Sequence, residues 1–488
     1  MPEKAAEYAW KAAQRAVSIH AHLEALRFAE QTVELADKIG DLGRAIEALH
    51  LVARVRRFRG EYDQALAAYE RALALLEPHQ ADRASEIASL YAHMAELVTR
   101  WDAKHPDLEA LIARGLELVG EEVSRERVLL LAARAFAPRK KAKPTDEDWE
   151  EALRTAKEAL AIAEELGQMR EVSLCLDAVG FAYRELGRFR ESYQANQRRV
   201  PIAQTLQDSD ELIDAHTMLA IAANVLGDVA QAIEQAVTAR EIAFETEKPN
   251  LGLQALSVEA GARLWSGDFT GAVETARRAD QFGSVSPNKT AAPFALAMAA
   301  SAALGSLDEK VYRDRLVEAE VAPHQLATAD LLAAVYGQRQ NESAYHGIRS
   351  AGAPRTRLER VFVGPLAVLA AARWSIEDEA FEERVSVDVQ RSGYARGQAL
   401  LVQAQGVRAL RHGEHARAEQ LLLDALQAFA TLRADYDRAV ALVDHAEALE
   451  RLGRASEAAG ELDEARSTAE RFGAIALRNL IDSRAARV

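Results

Sequence analysis

One cysteine stands in the 488 residues, Cys175, so no intrachain disulfide can form. Its neighbours Leu174 and Leu176 predict a buried thiol rather than a reactive one. Proline (12) and glycine (26) are scarce and mostly interrupt long periodic stretches. Aromatic residues make up only 6%, so helices are expected to pack closely through the abundant alanine. No apolar run reaches the roughly 18 residues that a membrane span needs. Charges recur from Glu3 onward, where a secretory leader would be apolar. A cytoplasmic protein is the expectation. Basic residues are outnumbered, 60 against 75 acidic, for a net charge of −15. A field of that sign repels a phosphate backbone, which argues against nucleic acid as a partner of the whole surface.

Signatures of catalysis are missing as well. The chain has no G-x-S-x-G elbow, no H-E-x-x-H, no Gly-rich phosphate loop and no Cys–His arrangement. His412 and His415 flank Gly413 on a turn, but a closed zinc site needs about four ligands. His20 and His22, two apart, point to different sides of a helix. Carboxylate pairs such as Glu164–Glu165 and Glu382–Glu383 arise by chance in an acidic helical chain. The expectation is no enzyme, no cofactor and no metal.

What the sequence does contain is a spacing. Gly187, Gly227 and Gly267 are 40 residues apart, and each is followed five residues later by a small residue: Ser192, Ala232, Ala272. Gly413 and Gly453 repeat the step, with Ala418 and Ala458 behind them, and Gly60 with Ala65 fits the same template. A fixed period of this length signals stacked repeats. Within one period, Leu176, Val179, Gly180 and Tyr183 form an apolar helix face. Gly187 can end that helix with positive φ, and Ser192 lets the next helix approach closely. Counting the small residues gives about twelve units, through approximate positions Ala110, Lys310, Glu342 and Ala380 where the register weakens. Three stretches interrupt it: a basic loop at 138–145, and loops at 284–293 and 350–365.

Leu176, Val179–Gly180, Tyr183, Gly187, Phe189 and Ser192 resemble the tetratricopeptide pattern, as do Leu49, Val52–Ala53, Gly60, Tyr62, Ala65, Tyr69, Ala72–Leu73 and Pro78. The resemblance implies an all-α superhelical solenoid of about twelve antiparallel helix hairpins. The unit here is longer than the usual 34 residues. Long-helix arrays of that kind are similar to those of bacterial ATPase-linked transcriptional regulators, and the stretch from Ala5 to Ala16 resembles the start of their repeat region. The ATPase motif is absent, so the chain reads as a repeat part alone. The expected organisation is one solenoid over 1–488: regular repeats in 1–283, irregular ones in 284–385, regular repeats and a cap in 386–488.

The resemblance also implies a concave groove lined by the first helix of each hairpin. On that template His50, Arg54, Arg57 and Phe58 line it before Gly60. Asp177, Phe181 and Arg184 follow before Gly187, then Asn224 before Gly227 and Trp265 before Gly267. The cluster Arg54, Arg56, Arg57, Arg59 reads either as a site for an acidic peptide or as inter-repeat pairing with Glu and Asp. Trp265 reads either as helix packing or as a stacking platform. The function implied is a non-enzymatic scaffold or adaptor that holds a protein or peptide partner. The alternative is a ligand-sensing regulatory module with a small-molecule effector.

Overall fold

The computed structural model describes residues 2–19, 21–101, 103–282, 287–350 and 357–485. His20 and parts of the loops expected at 284–293 and 350–365 lie outside the described residues. Every regular element among the described residues is helical. The helices group into two compact units, residues 1–182 and 183–488. The first holds α1 (Pro2–Ser18), α2 (His22–Ile39), α3 (Leu42–Phe58), α4 (Tyr62–Leu76) and α5 (Gln80–Trp101). It continues through α6 (Leu108–Val119), α7 (Arg125–Phe136), α8 (Asp146–Glu165) and most of α9 (Met169–Glu185).

The second unit begins with α10 (Phe189–Leu206), α11 (Ser209–Val225), α12 (Val229–Glu245), α13 (Pro249–Ser266) and α14 (Phe269–Arg277). Shorter helices follow: α15 (Pro287–Ala303), α16 (Asp308–Glu318), α17 (Pro323–Tyr336), α18 (Glu342–Ser350), α19 (Arg357–Phe362) and α20 (Gly364–Arg373). Longer ones return with α21 (Glu379–Ser392), α22 (Ala395–Arg411), α23 (His415–Thr431), α24 (Asp435–Arg451), α25 (Ala455–Arg471) and α26 (Ile475–Ala485). The described parts of the two expected loops, 287–293, 350 and 357–365, are helical apart from the turn at Val363. The basic stretch does leave the regular helices. Ala137–Lys140 forms a short 3-10 turn, and Thr145 then opens α8 through a reciprocal cap with Asp148.

The turns follow a stricter rule than the glycine period. Gly187, Gly227 and Gly267 have φ of 77°, 89° and 88°. Midway between them, Gln207 and Glu247 also take positive φ, 52° and 54°. Between Gly187 and Gly267 each helix plus its turn is therefore about 20 residues, closed by one left-handed residue. Where Gly227 ends α11, Asp228 caps α12 by accepting from the Gln231 amide at 3.0 Å. Gly267 and Asp268 do the same for α14, through the Gly271 amide at 2.9 Å.

The template alanines are packed out of solvent. Ala65, Ala232, Ala272, Ala418 and Ala458 are all buried, as is Ser192. The approximate positions Ala110, Lys310, Glu342 and Ala380 are instead exposed. Larger side chains nearby, among them Ile112, Tyr312, Tyr345 and Phe381, are buried in those irregular hairpins. Large residues fill there the space that alanine closes elsewhere.

The second unit also folds back on itself. Phe472, in the turn before α26, packs against Gly267, and Ile475 packs against Gly305. Phe269, Tyr336 and Tyr436 meet as rings 4.8 to 6.0 Å apart. Beside them the Arg396 guanidinium grips the Asp437 carboxylate from Nε at 2.6 Å and Nη2 at 2.9 Å. Much of this unit's first-helix surface is thus filled by its own side chains.

Candidate functional site

In the first unit the C-terminal ends of α3, α5, α7 and α9 present alternating arginines and rings. Arg57 lies over Phe58 at 5.2 Å and over Trp101 at 5.6 Å. Arg100 lies between Trp101 at 5.8 Å and Phe136 at 5.9 Å. Arg139 continues from Phe136 at 6.0 Å to Phe181 at 4.8 Å. A cation over a ring face is held by the ring quadrupole, with about 0.5–2 kcal/mol per contact depending on desolvation.

An ionic chain runs through the same row. Glu96 Oε1 lies 3.8 Å from Arg57 and 3.7 Å from Arg100. Arg100 reaches on to Asp177 at 3.3 Å. Burial works against ionisation of Glu96, but the His93 hydrogen bond and the Arg57 and Arg100 charges outweigh it and hold the carboxyl at about 2. Arg100 and Asp177 are nearly buried and pair with each other. Phe58 (49% exposed), Arg54 and Arg139 face solvent.

His50 sits beside this row, edge-on to Tyr69 at 5.5 Å and to His93 at 6.3 Å. Tyr69 stacks on His93. Burial, with the nearby His93 charge behind it, pulls His50 from 6.5 down to about 4; Glu86 opposes and Arg54 assists. The imidazole is neutral in the fold and charged more easily when unfolded. Its contribution is therefore present above pH 6.5 and lost as the pH falls toward 4. The full shift corresponds to about 3 kcal/mol, and partial exposure reduces it to about 1–2. The loss in urea midpoint between pH 7 and pH 4.5 should shrink in His50→Phe, which keeps the ring contact. Equal pH dependence in both proteins refutes the assignment.

Of the residues expected to line a groove, the structure gathers Arg57, Phe58, Asp177 and Phe181 into this row, with His50 beside it and Arg54 exposed at its edge. Arg184, Asn224 and Trp265 belong to the second unit. Arg184 pairs with Glu185 at 3.0 Å and donates toward the Met218 sulfur at 3.3 Å. Asn224 is buried on α11. Trp265 stacks on Phe362 with ring centroids 4.2 Å apart, and Gly261 packs against its other edge. The packing reading of Trp265 describes this environment. Within the cluster of four arginines, Arg56 and Arg59 pair with Glu61.

Glu96, Arg100, Trp101, Phe136 and Arg139 were not expected. One signal for them was available: Arg57–Phe58 recurs as Arg100–Trp101, about one period later. The row can hold charge and stack against planar groups. Among the described residues no cluster of three His, Cys, Asp or Glu is arranged to hold a metal. Cys175 is buried, and burial pushes its thiol up, away from the reactive range.

The described residues form tetratricopeptide-like helix hairpins, marked by glycine turns and, between Gly187 and Gly267, by a helix-and-turn step of about 20 residues. No protein-family model matches it, and no curated protein matches it. Among solved structures it is similar to a signal transduction ATPase with numerous domains, with a tetratricopeptide repeat sensor, from Pyrococcus horikoshii. That match has 14% identity and a TM-score of 0.45, covering 66% of this chain. The chain spans about half of that protein, 47% of its length. It is also similar to the Cut9–Hcn1 hetero-tetramer of the APC/C (14% identity, TM-score 0.48, covering 95% of this chain and 87% of that one). A third is a Rap protein complexed with competence and sporulation factor (14% identity, TM-score 0.45, 87% and 99%). Among the described residues no helix is long and apolar enough to cross a membrane.

Proposed function

We propose that the chain is a non-enzymatic interaction module whose first unit holds an acidic protein segment along the Arg–aromatic row. The observation that carries this reading is the local charge. Arg54, Arg57, Arg100 and Arg139 stand together along the row, with Glu96 and Asp177 as acidic neighbours, in a chain of net charge −15. Exposed Arg139 and Lys140 extend the positive edge next to Phe181. Arginine and aromatic side chains are the types enriched where binding energy concentrates. Carboxylates of a partner segment would meet guanidinium forks, and its apolar side chains would meet Phe58 and Phe181.

Fluorescence anisotropy with acidic, basic and scrambled aromatic-containing peptides tests this. Acidic peptides should bind, more weakly at high salt, and Arg54→Glu/Arg139→Glu should lower affinity roughly tenfold or more through lost complementarity. Lys310→Glu, an exposed reversal in the second unit, should leave binding unchanged. Equal binding of acidic and basic peptides, or no effect of the double reversal, refutes the reading. A ligand-sensing module is the second reading. It is favoured by a small, largely apolar chamber in the second unit that also presents Arg373, Gln403 and Asp437.

A further inference from the structure

In the second unit, α17, α20, α22 and α24 line a partly open chamber with about 20 Å³ of free space. That is room for one water-sized group. Tyr336 and Gln338 line it at the end of α17, Arg373 at the end of α20, Gln403 on α22, and Tyr436 and Asp437 on α24. Gln403 is fully buried. Its Nε2 donates to the Asp444 carboxylate at 2.8 Å, which fixes the other end of the amide as oxygen. That Oε1 has no hydrogen-bond partner. Arg373 donates from Nη2 to the same Asp444 oxygen at 2.6 Å, and its Nε has no partner either. A buried acceptor and a buried donor left unmet each carry a full desolvation penalty.

The charges around the chamber balance: Arg373 and Arg396 against Asp437 and Asp444. An anion would meet Arg373 Nε and leave Gln403 Oε1 unmet. A cation would do the reverse. A neutral group that both donates and accepts satisfies the two together. We propose that the chamber is a binding site for one hydroxyl-type group, bridging Gln403 Oε1 and Arg373 Nε and so joining α20 to α22. The group is a water molecule or the hydroxyl of a small ligand, and the site itself rests on the chamber's geometry rather than on the sensing reading.

The test is a crystal structure of the full chain, at a resolution that shows ordered water, in two preparations. One is purified natively and the other is refolded from urea in plain buffer. A single peak within hydrogen-bond distance of both atoms in both preparations supports the site with water in it, and counts against the sensing reading alone. Density that continues beyond the chamber in the native preparation only supports the site with a ligand hydroxyl in it. An empty chamber, or a peak touching just one of the two atoms, overturns the proposal. Water oxygen-17 relaxation dispersion gives a second measurement: Gln403→Met should lose one long-lived internal water relative to the refolded wild-type chain. An unchanged count also overturns it.

Discussion

Replacing Arg396 with methionine should destabilise the second unit by about 3–5 kcal/mol, the range seen when one partner of a buried ion pair is removed. Arg396 and Asp437 are 10% and 7% exposed at their side chains. The guanidinium also reaches the hydroxyls of Tyr394 at 3.2 Å and Tyr336 at 3.4 Å. Burial works against its charge, but Asp437 leads the neighbours that outweigh it and hold it well above the ordinary arginine range. Methionine fills much of the same volume, so the expected loss comes from the stranded Asp437 carboxylate rather than from a void. The companion variant separates the two causes. Arg396→Met/Asp437→Leu removes both charges and should recover most of the stability, because replacing a buried pair with apolar groups is near neutral. Urea unfolding followed by circular dichroism reads all three proteins. If the double variant is no more stable than the single one, the pair is not what holds α22 to α24.

Half of the turn rule was legible in the sequence. Gly187, Gly227 and Gly267 announce left-handed turns because glycine has no Cβ to clash there. The intervening turns at Gln207, Glu247 and, later, Arg433 take the same region with ordinary side chains. Nothing in those residue types marks them, since the stacked helices on either side impose the conformation. The helix-packing alanines were equally legible where the period holds. They were misplaced where Tyr312, Tyr345 and Phe381 take over, because volume can be conserved with different residues in a different register.

The candidate site shows the same division. Arg57, Phe58, Asp177 and Phe181 could be placed by template and do gather in one row, with His50 beside it. The residue that joins them, Arg100, is 77 positions from its partner Asp177. Only the repeat of an Arg–aromatic pair one period on hinted at it. Trp265 occupies the corresponding template position in the second unit, yet it meets Phe362, nearly a hundred residues later. A repeat template gives each helix the same inward-facing positions. Whether those positions meet solvent or another part of the chain depends on contacts far apart in sequence. In the second unit such contacts occupy Trp265.

Gly267→Ala should therefore cost more than Gly227→Ala, although the two glycines have φ of 88° and 89°. At Gly227 an added Cβ meets nothing within 4 Å. That variant suffers only the left-handed strain of about 1–2 kcal/mol, partly offset by about 0.4–1 kcal/mol of lost unfolded-chain entropy. At Gly267 the same Cβ lies 2.8 Å from two carbons of the Phe472 ring. The ring is partly buried and edge-on to Tyr436 at 6.3 Å, so it cannot simply swing away. Overpacking of this kind adds about 1–3 kcal/mol, for a total of about 2–4 kcal/mol. Phe472→Leu should relieve the overlap, so that Gly267→Ala costs less in that background than in the wild-type chain. The double-mutant cycle, read by urea unfolding, thus reports on a contact between two turns 205 residues apart in sequence. Equal losses for the two glycine variants, with no coupling to Phe472, mean that the C-terminal hairpin does not rest on the α13–α14 turn in solution.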